Sequence, residues 1–191
     1  MKTSNKIILS FLFLVVIAAL YRVIPDRPYG FAPQWAMALF AGAIIRDKKW
    51  AFIIPVLSMF ISDLLYQVLY IGGISAIPGF YEGQWQNYIL FTLLVFVGFA
   101  IKKLNLFQIV AASLAAPTIY FLISNFLVWA SNSSIRGLDR PKTFDGLMLC
   151  YADGIPFFKM SILGTLVFSA VMFGTFIFIK NYQAISREMR A

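Results

Sequence analysis

The chain has 191 residues, of which 61% are hydrophobic, 17% aromatic and only 13% charged. A soluble domain averages about half apolar and a quarter charged residues, and a soluble core of this size could not bury so much apolar surface. The composition therefore predicts an integral membrane protein and excludes a soluble globular enzyme, a disordered protein and a secreted disulfide scaffold. The net charge of +8 is interpreted as loop cations that orient a membrane protein, with no nucleic acid as partner.

The chain contains no histidine and a single cysteine, Cys150. This excludes the usual transition-metal sites, nucleophiles activated by histidine, and an internal disulfide. Cys150 is interpreted as an inert thiol at the membrane interface. No Walker motif occurs, so the chain cannot hydrolyse ATP by that route. We therefore expect no metal, no cofactor and no catalytic residues.

Six segments are long and apolar enough, or nearly so, to cross a membrane, which takes about 20 residues each. They predict an all-α fold, with one membrane domain over 1–191 formed by a bundle of six transmembrane helices. In chain order the segments are residues 7–24, 31–45, 50–71, 85–101, 106–130 and 156–179. The polar stretch 131–155 is predicted to be an outer loop, and long loops of this kind often act as lids.

The Lys and Arg residues of alternate connections predict the orientation. With the N-terminus inside, ten of the 16 lie on the inner side and six on the outer side. The positive-inside rule then places both termini in the cytoplasm. The alternative is that the first segment is a signal peptide, because Lys2 and Lys6 precede its apolar run, although no small-x-small cleavage site follows before Tyr21.

Asp63 is the strongest candidate for a functional residue, because ionisable groups at membrane depth are costly and are often functional. Its helical position places it in the outer half of the bilayer, and Gln67 follows one turn further out on the same face. The alternative is a structural role in which the buried carboxylate caps a neighbouring helix or pairs with Arg22.

Asn125 occupies a parallel position on the fifth segment. In both segments a proline, Pro55 or Pro117, precedes the polar residue by eight positions, which leaves a duplication of helix pairs open. The matched depth predicts that Asp63 and Asn125 face one outer-leaflet cavity beneath the loop 131–155. We expect Gln67 above them and the aromatic side chains Trp129 and Tyr151 as walls of a substrate-binding site.

Small residues four positions apart favour close helix packing. Ala38 and Gly42 have this spacing on the second segment, and Ala112 and Ala116 have it on the fifth. Packing inside the bundle is the preferred interpretation, and a docking face for a partner protein is the alternative.

The arrangement resembles the substrate-binding S components of energy-coupling-factor vitamin transporters. The resemblance lies in the run Ala36 to Ala43, the charged turn after it, and the helix ending in Ile61-Ser62-Asp63-Leu64-Leu65. Over the whole chain, the sequence is more similar to a small uncharacterised bacterial membrane family related to those components. Its features here are Arg22 to Pro25, Ser124-Asn125-Phe126, and Cys150-Tyr151 followed by Ile155-Pro156-Phe157-Phe158.

The resemblance implies a protein of the bacterial cytoplasmic membrane that binds a vitamin or similar micronutrient near the outer face. It also implies a transmembrane coupling protein with two ATPases as the energising partner. The first segment, however, has only the adjacent pair Ala18-Ala19 in place of the Ala-x-x-x-Ala docking face common in S components. A transporter that works alone therefore remains an alternative, as does a structural or assembly subunit of a larger membrane complex.

Overall fold

The structure is a computed structural model that describes residues 5–24, 27–131 and 140–188. All regular structure in these residues is α-helical. The six helices are α1 (Asn5–Arg22), α2 (Gln34–Ile44), α3 (Lys48–Ile71), α4 (Gln84–Phe99), α5 (Leu106–Ala130) and α6 (Phe144–Glu188). The prediction of an all-α chain with six helices is confirmed, and α5 has the predicted bounds.

The largest difference from the prediction lies in α6, which has 45 residues and contains Pro156 in its interior. The sequence pattern placed a helix start at Pro156 and a loop over 131–155, so the second half of that predicted loop is wrong. Residues 144–155 are helical because they pack against α5: Cys150 is buried, and Tyr151 Oη donates to the carbonyl oxygen of Leu122 at 3.0 Å. This packing outweighs the single backbone hydrogen bond that the proline removes.

The shortest helix, α2, occupies the centre of the bundle and packs against α3, α4, α5 and α6. It has 11 residues, and its side chains from Ala36 to Ala41 are all buried. At about 1.5 Å per residue it is shorter than the ~30 Å hydrocarbon core of a bilayer. Gly42 permits a close crossing of α2 with α4, because a Cβ there would overlap the carbonyl oxygen of Val95 and lie 3.0 Å from the Cα of Gly98.

Three helices, α3, α5 and α6, are long and apolar enough to cross a membrane, and α2 is a shorter apolar helix. Their outward faces carry many large apolar side chains. The exposed residues include Ile53, Phe60, Leu64 and Val68 on α3, Leu114 and Leu122 on α5, and Leu163, Val167 and Val171 on α6. Apolar surface on this scale is typical of contact with lipid, which suggests a membrane protein.

The bundle has two chemically different ends. At one end, here called the polar end, Arg22 at the end of α1 and Gln84 at the start of α4 both contact Asp63 of α3. At the other, here called the basic end, Lys48 Nζ lies 3.6 Å from the centroid of the Phe99 ring and so joins the start of α3 to the end of α4. The exposed cations of the basic end are Arg46, Lys48, Lys49, Lys102 and Lys103.

Candidate functional site

The Asp63 carboxylate lies at the centre of a buried hydrogen-bond network at the polar end. The residue is 1% exposed, and Arg22 Nη1 forms an ion pair with its Oδ1. Gln84 Nε2 and Tyr88 Oη donate to its Oδ2 at 2.6 Å and 2.7 Å. Both carboxylate oxygens therefore have donors, which a charge removed from water requires. The structure therefore contains the Asp63–Arg22 pair that was the alternative interpretation of the sequence.

A second cation, Arg27, stabilises the C-terminus of α1. The carbonyl oxygen of Arg22, at the last residue of the helix, accepts from Arg27 Nε and from Tyr66 Oη, each at 2.6 Å. These bonds satisfy a carbonyl that has no partner within the helix. Arg22 Nη1 also donates to the Ser62 hydroxyl at 2.6 Å. The cluster thus holds two guanidinium groups against one carboxylate, a net charge of +1.

A cavity of about 550 Å³ adjoins this network. Arg22 is the charged residue in its lining, and the other lining residues combine amides and hydroxyls with apolar walls. These are Ala32, Gln34, Trp35, Met59, Pro78, Tyr81, Asn87, Phe91, Tyr120 and Ser124. Such a mixture of aromatic walls and a few polar groups is typical of sites for small organic ligands.

Two polar atoms at the start of α2 have no hydrogen-bond partner among the described residues, although both are buried. They are Gln34 Oε1 and Trp35 Nε1, and both residues line the cavity. The other end of the Gln34 amide is fixed, since Nε2 donates to the carbonyl oxygen of Ala18 at 3.1 Å. A buried acceptor and donor without partners each cost about 1–3 kcal/mol.

Another part of the lining is held in place by Asn87 of α4. Its Nδ2 donates to Tyr81 Oη, and its Oδ1 accepts from Tyr120 Oη at 3.0 Å. The ring of Tyr120 in turn packs edge-on against Trp35, with 5.6 Å between ring centroids. The aromatic side chains of the wall are therefore oriented by bonds and ring contacts before any ligand arrives.

The α3–α4 connection, residues 72–83, folds back over this end of the bundle. Gln67 Oε1 accepts from the backbone N–H groups of Gly79 and Phe80 at 3.1 Å and 3.2 Å. Gly79 lies so close to α3 that a Cβ would overlap the carbonyl oxygen of Asp63. Pro78 and Tyr81 on the same connection line the cavity. The connection is therefore one of its walls.

The five predicted substrate-binding residues do not converge on this cavity, and none of them is in its described lining. Asp63 belongs to the network beside it, and Gln67 holds the α3–α4 connection. Asn125 donates to the carbonyl oxygen of Phe121 at 2.8 Å and lies against Gly154 of α6. The meeting of Asp63 and Asn125 in one cavity is therefore not found.

The side chains of the two predicted aromatic walls, Trp129 and Tyr151, donate hydrogen bonds to backbone carbonyl groups. Trp129 Nε1 donates to the carbonyl oxygen of Pro141 at 2.9 Å, and Tyr151 donates to that of Leu122. The small residues lie inside the bundle: Ala38, Ala112 and Ala116 are buried, and Gly42 faces Gly98. These positions favour helix packing over a docking face.

The sequence reasoning missed Gln34, Trp35, Asn87 and Tyr120, which line the cavity. A signal was present, because Gln34, Gln84 and Asn87 are uncharged polar residues at the start of apolar helices. Polar side chains in such positions need partners inside the bundle.

In the part of the chain that the structure describes, no group of three His, Cys, Asp or Glu residues is placed to hold a metal ion. The chemistry that the site offers is hydrogen bonding and aromatic contact next to a partly neutralised guanidinium.

Residues 2–187 match DUF6580, which is described as a family of unknown function. The chain belongs to that family. No curated protein and no solved structure matches it. The resemblance to S components accordingly stays a prediction from the sequence.

Proposed function

We propose that this member of DUF6580 is the membrane-embedded, substrate-binding subunit of a transporter for a vitamin or similar micronutrient. The observation that carries the proposal is the cavity at the polar end, whose lining includes Gln34 and Trp35, each of which has a buried polar atom without a partner among the described residues. Its volume of about 550 Å³ falls within the ~300–1,000 Å³ of pockets that hold small organic molecules.

The polar groups of the cavity define what a ligand must offer. A donor opposite Gln34 Oε1 and an acceptor opposite Trp35 Nε1 would satisfy both buried atoms. The bonds of Arg22 to Ser62 and Asp63 both come from Nη1, so within the described part of the chain Nη2 is left for a further acceptor. The rings of Trp35 and Tyr120 meet edge-on, at 75° to each other, so they offer an aromatic corner for the apolar part of a small ligand with amide-like edges.

The proposed topology has six passes with both termini in the cytoplasm of a bacterial cell. It rests on the excess of Lys and Arg on one side, ten of 16, which is typical of cytoplasmic connections. The basic end then faces the cytoplasm and the cavity lies toward the outer face, where a subunit for uptake has to receive its substrate.

Energy for uptake would come from other chains, since the sequence contains no Walker motif. The proposed partner is a transmembrane coupling protein with ATPases. Expression of this protein alone, in a host without coupling proteins, should give binding of the substrate without accumulation. Robust accumulation would instead identify a transporter that works alone.

A structural or assembly subunit is the second candidate function. It is favoured by the pairing of Asp63, whose carboxylate oxygens are both bonded within the protein and need no ligand. In that case the cavity has no specific organic occupant.

The experiment that separates the two is mass spectrometry of small molecules that copurify with the protein. Trp35→Phe keeps the ring but removes the buried N–H, and the matched control Trp85→Phe changes a side chain that is 63% exposed. We expect Trp35→Phe to weaken binding of the copurified molecule roughly tenfold, the effect of one buried hydrogen bond. Trp85→Phe should leave it unchanged. Absence of any copurified molecule from protein that is folded would support the structural subunit.

Cysteine labelling tests the orientation. In a Cys150→Ala background, single cysteines replace Ser131 near the polar end and Asn105 at the basic end, both exposed. A reagent that does not cross the membrane should label position 131 from outside intact cells and leave position 105 unlabelled. The reverse pattern would overturn the proposed topology.

A further inference from the structure

A second cavity, of about 320 Å³, lies at the basic end. Its walls are the end of α2, residues 42–45, and the ends of α3 and α4 that meet it there. Three cations line it, Arg46, Lys48 and Lys102, together with Phe99 and Ile101. No carboxylate belongs to this described lining, so three positive charges converge on one concave surface.

One acidic residue, Asp47, adjoins these cations in the sequence and offsets at most one of the three charges. Asp47 accepts a hydrogen bond from the backbone N–H of Lys49 at 2.9 Å and so caps the N-terminus of α3. Among the described residues, the ion pairs are Arg22–Asp63 and Arg140–Asp153, and neither involves the basic end. The cavity therefore has an excess of positive charge, which favours binding of an anion.

An apolar surface leads away from the cavity. Phe99, in the lining, packs against Phe96 and Phe52 at centroid distances of 5.6 Å and 5.5 Å. Phe96 is 55% exposed, and Ile53, which follows Phe52 on α3, is 48% exposed. A small soluble anion would make no use of this surface, whereas the acyl chain of a lipid whose headgroup occupies the cavity would cover it.

We propose that the cavity at the basic end binds the phosphodiester headgroup of an anionic phospholipid. Arg46, Lys48 and Lys102 contact the phosphate, and the acyl chains lie along Phe96 and the α3 face. The cation–π contact between Lys48 and Phe99, at 3.6 Å, holds the ammonium group at the rim of the cavity. The site is independent of the cavity at the polar end.

The sequence supplies a matched control for each cavity lysine, because Lys48-Lys49 and Lys102-Lys103 are adjacent pairs of which one member lines the cavity. The test compares Lys48→Gln/Lys102→Gln with Lys49→Gln/Lys103→Gln in native mass spectrometry of the full chain in detergent. The probes are phosphatidylglycerol, zwitterionic phosphatidylcholine and inorganic phosphate.

The cavity pair should weaken phosphatidylglycerol binding roughly 25-fold, since each cation near an anionic lipid contributes about 1 kcal/mol. The control pair should stay within about threefold of the unmodified protein, because exposed charges outside the cavity contribute little. Equal losses of phosphatidylglycerol affinity for the two pairs would contradict the proposed site. They would show that the lipid is attracted by the overall charge of the basic end.

Two further outcomes would also overturn it. Inorganic phosphate that displaces phosphatidylglycerol and binds as tightly would assign the cavity to a soluble anion. Unchanged lipid binding with a lowered melting temperature for Lys48→Gln/Lys102→Gln would mean that the cations only stabilise the C-termini of α2 and α4.

Discussion

The two ends of the bundle use the same cationic residue types in opposite ways. At the polar end Arg22 is bound to Asp63 and Ser62, and Arg27 donates to a backbone carbonyl. At the basic end the Lys and Arg side chains from Arg46 to Lys103 are exposed, and in the described part of the chain none lies within ion-pair distance of a carboxylate. The cations of the polar end are bonded within the protein, whereas those of the basic end are exposed to its surroundings.

Depth in the bundle explains the difference. A charge removed from water has to be paired and hydrogen-bonded, so the carboxylate of Asp63, which is 1% exposed, requires Arg22 and the α4 donors. A cation at the surface keeps its water and gains little from a partner. The cations of the basic end are therefore able to bind lipids or other chains. Arg22 instead stabilises the fold through Asp63 and forms part of the cavity wall.

The largest expected effect comes from Arg22→Met. It leaves the buried Asp63 carboxylate with the neutral donors Gln84 and Tyr88, and we expect the free energy of unfolding to fall by about 3 kcal/mol. Arg46→Met at the basic end should change it by less than about 0.5 kcal/mol. Chemical unfolding of the purified proteins in one detergent measures both values.

The double variant Arg22→Met/Asp63→Leu provides the control for this prediction. Replacing both members of a buried pair by apolar side chains is often close to neutral, so the double variant should be more stable than Arg22→Met alone. Equal losses for Arg22→Met and Arg46→Met would remove the distinction between the two ends.

Gly79→Ala at the polar end should lower the free energy of unfolding, but by less than Arg22→Met. The new methyl group would overlap the carbonyl oxygen of Asp63 and lie 2.8 Å from Gln67 Cβ. Separating the α3–α4 connection from α3 to relieve this overlap should cost about 2 kcal/mol.

Gly174→Ala is the matched control, because a Cβ at Gly174 meets nothing within 4 Å and alanine favours the helix by up to about 1 kcal/mol. Thermal unfolding should therefore show a lower midpoint for Gly79→Ala and an equal or higher one for Gly174→Ala. An equal midpoint for the two variants would mean that the connection is not packed against α3 as described.

The sequence predicted depth along the helices better than it predicted the direction of a side chain. Asp63 was found because a carboxylate in an apolar helix is conspicuous, and Arg22 was already its alternative partner. Asn125 was placed in the cavity by its matched depth, but one residue turns a helix by about 100°. Ser124 lines the cavity, and Asn125 lies against α6.

Two other features depend on contacts between distant parts of the chain. The continuation of α6 through Pro156 is stabilised by its packing on α5, which a local rule about proline does not include. The polarity of Gln34 at the start of an apolar helix was a signal in the sequence, but only the structure shows that Gln34 Oε1 and Trp35 Nε1 have no partner among the described residues. Whether a polar atom has a partner is a property of the assembled bundle, so no pattern in the sequence displays it.

The smallest expected effect concerns the start of α3, where Lys48 and Lys49 follow the cap Asp47 and the first turn holds no acidic residue. Cations are unfavourable there because the N-terminus of a helix carries partial positive charge. Lys49→Glu reverses the charge and also reduces repulsion at the basic end, so it should raise the free energy of unfolding by about 0.5 kcal/mol at low salt.

Salt distinguishes this surface effect from the buried pair. At about 1 M salt the screening length falls to roughly 3 Å, so the gain from Lys49→Glu should largely disappear. The loss from Arg22→Met should persist, because ions do not screen a carboxylate that is 1% exposed. Chemical unfolding at low and at high salt measures both changes in the free energy of unfolding. A gain from Lys49→Glu that survives high salt would show that the cations of the basic end are held in a low-dielectric environment, and the contrast between the two ends would then be one of pairing alone.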